Sequence, residues 1–330
     1  MKAIVCSAFG APETLVLTNQ PDPVLGPTEV MVQIAVSSVN FADVLMVAGR
    51  YQVKPPLPFV PGLEFVGRVT AIGIDVTRWR VGDRVMGAPA FGAFAEAIAV
   101  DQDRVFAVPD DMSDDVAAGF TIAYGTAGYA LLSRADLRAG ETVLITGAGG
   151  GVGLAAIDIA KRVGARVIAA IGSPGKESAV RDQGADDVVD YSQPDWGATL
   201  KKLTGGNGVN VVLDNVGGTV FDQALRGTAR MARVLVVGFA GGSIPRIAAE
   251  YLLVKNIAVH GVGFGGAIAS SPELARTVLE RLMQLHKARP FTGHAVAAYA
   301  LADVPLALNA LSERRAVGKQ IIRIATTDFS

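Results

Sequence analysis

Cysteine is almost missing from this chain: Cys6 is the only one in 330 residues. That excludes a disulfide framework and a thiolate metal cluster. Cys6 lies in an apolar strand pattern and reads as a small buried hydrophobe. Histidine is nearly as scarce. His260, His286 and His294 fall in unrelated segments without partners at metal-ligand spacing, and read as structural or surface residues. Neither sign of charge dominates, with 30 Lys and Arg against 31 Asp and Glu, and no long stretch is basic. A nucleic-acid or polyanion surface is therefore not expected. Apolar runs are short and broken by Gly, Asp or Arg, so no membrane span is indicated. Met1-Lys2-Ala3-Ile4-Val5 enters a strand directly, without the regions of a signal peptide. A cytoplasmic protein is the expectation. There is no internal repeat or low-complexity tract.

Glycine, in contrast, is abundant, and its placement is informative. The run Thr142-Val143-Leu144-Ile145-Thr146 ends in Gly147-Ala148-Gly149-Gly150-Gly151-Val152-Gly153, and an amphipathic helical pattern follows at once. Glycines let the backbone turn sharply and approach phosphates, while the helix offers free N–H groups and the positive end of its dipole. A strict G-x-G-x-x-G is absent. The register that fits is Ala148-x-Gly150-x-x-Gly153, and its setting between a strand and a helix makes it a dinucleotide turn. Gly150, Gly151, Val152 and Gly153 are the pyrophosphate candidates.

The next strand, 164–171, ends where an NAD-binding chain places Asp or Glu on the ribose 2′-hydroxyl. Here Ala170-Ile171-Gly172-Ser173-Pro174-Gly175-Lys176 holds no acid. Small residues, a hydroxyl and a lysine suit a 2′-phosphate dianion instead. NADPH is thus expected over NADH. Arg181 is a second candidate cation, or a solvated residue on a helix face.

At this length two domains are the default. Residues 1–122 read as β-rich, with alternating 30–36, strands near 65–69 and 82–86, and a proline-dense loop at Pro55, Pro56, Pro58 and Pro61. From 123 to 260 strand and helix alternate, with six strands at 143–146, 167–171, 187–190, 209–214, 234–238 and 257–261. Strands joined by crossovers imply a doubly wound parallel sheet with helices on both faces. A helix at 272–287, a β segment near 295–298, a helix at 303–312 and a strand at 320–324 close the chain. The expectation is an α/β protein in which 123–260 is inserted into a β-rich domain of 1–122 and 261–330.

The chain resembles the zinc-independent, zeta-crystallin-type quinone oxidoreductases of the medium-chain dehydrogenase/reductase superfamily, over essentially its whole length. The residues that carry the likeness are Val39-Asn40-Phe41-Ala42-Asp43, Gly49-Arg50-Tyr51, Pro58 to Gly67, and Tyr124-Gly125-Thr126-Ala127-Gly128-Tyr129. The glycine turn, Val188-Val189-Asp190-Tyr191 and Val317-Gly318-Lys319 complete them. The resemblance implies a GroES-like β-rich catalytic domain with an inserted Rossmann domain, and a homodimer paired through the outermost strand near 259–262. Where zinc-dependent members carry Gly-His-Glu, this chain has Gly62-Leu63-Glu64, and Leu63 cannot ligate. Metal-assisted oxidation of an alcohol is then poorly served, while a quinone or enone accepts hydride without a Lewis acid.

The resemblance also supplies roles, each with a plainer alternative. Asn40 would hold the nicotinamide and Asp43 its loop, or both cap the helix starting near Phe41. Tyr51 would line the acceptor pocket or supply a proton, or only pack. Thr126 and Tyr129 would touch nicotinamide and phosphate, or Thr126 would cap a helix. Gly172, Ser173, Lys176 and Tyr191 resemble a 2′-phosphate pocket, with Lys176 alternatively a surface lysine. Asn215, Phe239, Ala240 and Phe264 would neighbour the cofactor at the carboxyl edge of the sheet, the phenylalanines alternatively being core. Lys319 would reach the cofactor or stay solvated. The expected activity is NADPH-dependent reduction of a small quinone or conjugated carbonyl held in a dry cleft between the domains. The rivals are an enoyl-thioester or acryloyl-CoA reductase, and a non-catalytic, crystallin-like NADPH-binding protein.

Overall fold

The computed structural model describes residues 1–293 and 295–324; His294, named above, lies outside them. The chain divides into two compact units. One comprises Met1–Ile122, Gly265–Arg276 and His286–Ser330, the other Ala123–Phe264 and Thr277–Leu285.

The first unit is built on a seven-stranded mixed sheet. Its path runs β14 (Ala295–Ala300), β15 (Lys319–Arg323), β3 (Glu29–Val39), β4 (Phe65–Ile72), β5 (Arg84–Gly87) and β7 (Val105–Ala107), with β6 (Ala97–Asp101) also pairing β3. A hairpin of β1 (Lys2–Val5) and β2 (Val16–Asn19) stands beside it. The alternation at the start of β3 has the usual cause: Val30, Val32 and Ile34 are fully buried while Met31 and Gln33 are not. Beyond Ala35 the strand is covered on both faces, which puts Ser37 and Ser38 in the interior with β15 alongside. The helix Phe41–Val47 follows at once.

The second unit carries the parallel sheet expected from the strand–helix alternation. Its order is β10 (Asp187–Asp190), β9 (Arg166–Ile171), β8 (Thr142–Thr146), β11 (Val209–Asp214), β12 (Thr228–Val236) and β13 (Ala258–Gly261). Val143 to Ile145 and Val211 to Leu213 are completely buried, which explains why these strands are unbroken apolar runs. The chain leaves β8 toward β9 and β10, then returns to build β11, β12 and β13 on the other side. β8 and β11 therefore flank the point where strand order reverses, the place where open parallel sheets bind ligands. β12 starts at Thr228, six residues before the apolar run that marked it. Before that run it carries Arg230, Met231 and Arg233, whose exposed or ion-paired side chains hide the strand from a hydrophobic count.

Among the described residues no helix is long and apolar enough to cross a membrane.

Candidate active site

In the parallel-sheet unit the glycine turn leads from the end of β8 into a helix. Gly147 takes φ +60°, and Gly150 stands as the N-cap of the helix Gly151–Val163, where it can offer no capping side chain. The first amides of that helix, at Gly151, Val152 and Gly153, therefore receive no capping bond from a side chain at the N-cap. A Cβ at residue 153 would lie 2.5 Å from the Ala148 carbonyl oxygen, so only glycine permits this approach of the helix to the turn before it.

The end of β9 comes to the same place. A Cβ at residue 172 would lie 2.7 Å from the Tyr191 phenol oxygen, and one at residue 149 would lie 2.9 Å from Lys176 Cβ and Cδ. The Tyr191 ring therefore rests over Gly172, and the Lys176 stem crosses the glycine turn. Ser173 caps the short turn Pro174–Lys176 by position, without a side-chain bond. Arg181 is held by Glu177, Nε to Oε1 2.7 Å, on an exposed helix face, as its solvated reading had it.

Along the same edge, Asn215 donates from Nδ2 to the Thr146 carbonyl at 2.8 Å. Ala240 N–H donates to the Asn215 carbonyl at 3.0 Å, which keeps Phe239 and Ala240 beside it. Phe264 is buried, and its ring lies 5.9 Å from that of Tyr129. It fills the space over Gly125, where a Cβ would meet its ring. Thr126 corrects one alternative. The backbone is helical before it, Tyr124 having φ −70° and ψ −37°, so Thr126 sits inside helical backbone and caps nothing.

The first unit gathers a different set of groups. Glu64 is completely buried, and five donors surround its carboxylate. Ser38 Oγ (2.5 Å), Asn40 Nδ2 (2.9 Å) and Lys319 Nζ (2.5 Å) donate to Oε1. Thr121 Oγ (3.1 Å) and the Ile122 amide (2.9 Å) donate to Oε2. Lys319 Nζ also donates to Asn40 Oδ1 at 2.7 Å and to the Val39 carbonyl at 3.2 Å. Lys319 is thus neither solvated nor reaching outward; it is the buried counter-ion of Glu64. Asn40 is the N-cap residue of the helix Phe41–Val47, in a capping box with Asp43, and its side-chain amide also joins this network.

Asp43 supplies the N3 half of that capping box. Its Oδ2 accepts the Asn40 amide at 2.8 Å, closing the first turn of the helix. Its Oδ1 is buried without a hydrogen bond. Burial dominates, so the carboxyl is pushed up to about 7 although the Asn40 amide and the Lys319 charge pull it down. Half-buried Tyr51 packs against the apolar cluster containing Val39, Val44 and Leu63. Burial, and then the Asp43 charge, push its phenol up.

This donor set does not suit zinc. Glu64 is already saturated by an ammonium, two hydroxyls and two amides, and Leu63 is part of the apolar cluster. Among the described residues no three His, Cys, Asp or Glu side chains group as metal ligands. His286 is buried between Asp111 (Nε2 to Oδ1 3.0 Å) and the Phe291 amide (3.1 Å to Nδ1), a structural role. His260 is partly exposed on β13. Cys6 is buried in the core, its thiol directed at the Ala8 carbonyl. Sequence reading missed Ser38, Thr121, Thr146 and Asp214. Glu64 and Lys319 were visible, but not their pairing.

Residues 26–110 match the family described as alcohol dehydrogenase GroES-like domain, and residues 151–282 that described as zinc-binding dehydrogenase. The chain is 40% identical to quinone oxidoreductase-like protein 2 of Mus musculus over 98% of this chain and 92% of that protein. A mycobacterial protein solved in complex with NADPH is 32% identical, with a TM-score of 0.91 over 98% of this chain and all of that one. Escherichia coli quinone oxidoreductase, also solved with NADPH, is 28% identical, with a TM-score of 0.89 over 98% of this chain and 100% of that one. The chain accordingly belongs to the medium-chain dehydrogenase/reductase superfamily, as an oxidoreductase of its quinone oxidoreductase-like group.

Proposed function

We propose that this protein reduces a quinone or a conjugated carbonyl with NADPH, by hydride transfer and without a metal ion. The observation that carries the reading is the end of β9. Lys176 crosses the glycine turn, Tyr191 rests over Gly172, and no acid stands where an unphosphorylated ribose would be held. Two solved relatives of high structural similarity are NADPH complexes, which supports the same cofactor.

Gly150, Gly151, Val152 and Gly153 would receive the pyrophosphate, and Gly172, Ser173, Lys176 and Tyr191 the 2′-phosphate. Thr126, Tyr129, Asn215, Phe239, Ala240 and Phe264 would line the rest of the dinucleotide, with residues 123–260 as the continuous nucleotide-binding stretch. Asn40 is assigned to the nicotinamide, and Asp43, Tyr51 and Lys319 to shaping the acceptor side.

Bound NADPH supplies the hydride. The chain's own residues bind, orient and handle protons. Lys319 neutralises Glu64, so the interior around Asn40 presents a fixed amide rather than a bare charge. The raised phenol of Tyr51 stays protonated at neutral pH. It, or water, delivers the proton that balances the reaction: acceptor, NADPH and one proton give the reduced acceptor and NADP+. A buried single cysteine suits the reducing cytoplasm. The outer edge of β13 is open in the sheet order, and its pairing with a second copy would make a homodimer.

The direct test follows NADPH absorbance with benzoquinones, 2-alkenals and crotonyl-CoA in parallel. Turnover of the first two supports the assignment. Thioester turnover far above both would make the protein an enoyl-thioester reductase, and silence with all three would leave a binding protein.

A further inference from the structure

One buried carboxylate ties together the carboxyl end of the parallel sheet. Asp214, the last residue of β11, is completely buried. Its Oδ1 accepts the Thr146 hydroxyl at 2.6 Å and, at 3.4 Å, the Val216 amide. Its Oδ2 accepts the Gly217 amide at 2.9 Å. Burial pushes this carboxyl up, while these three donors hold it down.

Thr146 is the last residue of β8 and precedes Gly147 of the glycine turn. Its hydroxyl oxygen accepts the Asn215 amide at 3.1 Å, and its carbonyl accepts Asn215 Nδ2 at 2.8 Å. Because that oxygen accepts from a main-chain N–H, its own proton is directed at Asp214, and the orientation is unique. The Asp214 carbonyl accepts the Val237 amide at 2.9 Å, and the Asn215 carbonyl accepts that of Ala240 at 3.0 Å. The ends of β8, β11 and β12 are therefore joined through two consecutive residues. They meet at the reversal of strand order, where a ligand of an open parallel sheet sits. An apolar residue at 214 would fill the space without the cost of burying a carboxylate and would keep the main-chain bond to Val237, but it could not hold the Thr146 hydroxyl or the Gly217 amide.

We propose that Asp214 is a positioning residue for the dinucleotide, acting through Thr146 and Asn215 to set the separation between the glycine turn and the β11 edge. This rests on the reading that the unit binds NADPH. Asp214 need not touch the ligand itself.

The test uses the full-length protein with Thr146→Val, Thr146→Ser and Asp214→Asn. Dinucleotide affinity is read by fluorescence titration, acceptor KM at saturating NADPH, and melting temperature by calorimetry. Loss of one hydrogen bond to a buried carboxylate predicts that Thr146→Val weakens NADPH by about tenfold or more. Acceptor KM should stay unchanged, and Thr146→Ser, which keeps the hydroxyl, should bind as the parent does. Wild-type affinity in a folded Thr146→Val protein overturns the proposal, whatever Asp214→Asn does. So does a parallel rise in NADPH Kd and acceptor KM that follows the melting temperature. Wild-type protein that binds neither NADPH nor NADH overturns the cofactor reading, and this inference with it.

Discussion

Lys319 Nζ lies 2.5 Å from Glu64 Oε1, in a pair formed by residues 255 apart in the chain and buried on both sides. Truncating one partner of such a pair leaves an uncompensated buried charge. Lys319→Met should cost about 3–5 kcal/mol of stability, and the double variant with Glu64→Gln should recover most of that. Urea unfolding of the parent, the two single variants and the double variant checks this. Additive losses would mean the two groups do not interact.

Asp43 titrates near 7 in the fold against an ordinary 3.8, so the folded protein holds this proton more tightly than the unfolded chain. The stability it contributes is complete below the unfolded value and is lost as pH rises through the folded one. Denaturation of wild type at pH about 5 and about 8 should differ from that of Asp43→Asn by a few kcal/mol, on the order expected for such a shift. Identical pH dependence in the two proteins would show that Asp43 titrates normally.

Lys176→Ala should weaken NADPH by about tenfold or more while leaving NADH within about twofold, since only NADPH brings a dianion to pair with the ammonium. Equilibrium titrations with both dinucleotides decide it. An equal loss for the two would reject the phosphate assignment.

Tyr51→Phe should keep most of the activity, because water can replace a phenol as proton source. A fall in kcat above about 10³-fold, beyond the low end for a general acid, would instead make the phenol essential.

Much of the parallel-sheet unit was legible before folding. Six apolar runs, helical stretches between them and the glycine turn are local patterns, and strands buried on both faces leave an unmistakable mark. Where that mark failed, at the start of β12, the cause was also local: Arg230 and Arg233 belong to a strand but do not look like one. Thr126 misled for a related reason. Its residue type suits a cap, but the helical backbone already at Tyr124 decides the matter.

The polar interior was much less visible. Nothing near Glu64 in the chain announces that its partners are Ser38, Asn40, Thr121 and Lys319, nor does anything near Thr146 point to Asp214. Short-range periodicity and glycine placement were enough to specify the parallel-sheet unit and its glycine turn, because each acts within a few residues. Which carboxylate is neutralised, which amide is spent and which strand ends are locked together came only with the folded chain. Those choices are set by contacts across tens to hundreds of residues, in an interior where an unpaired charge is too costly to leave.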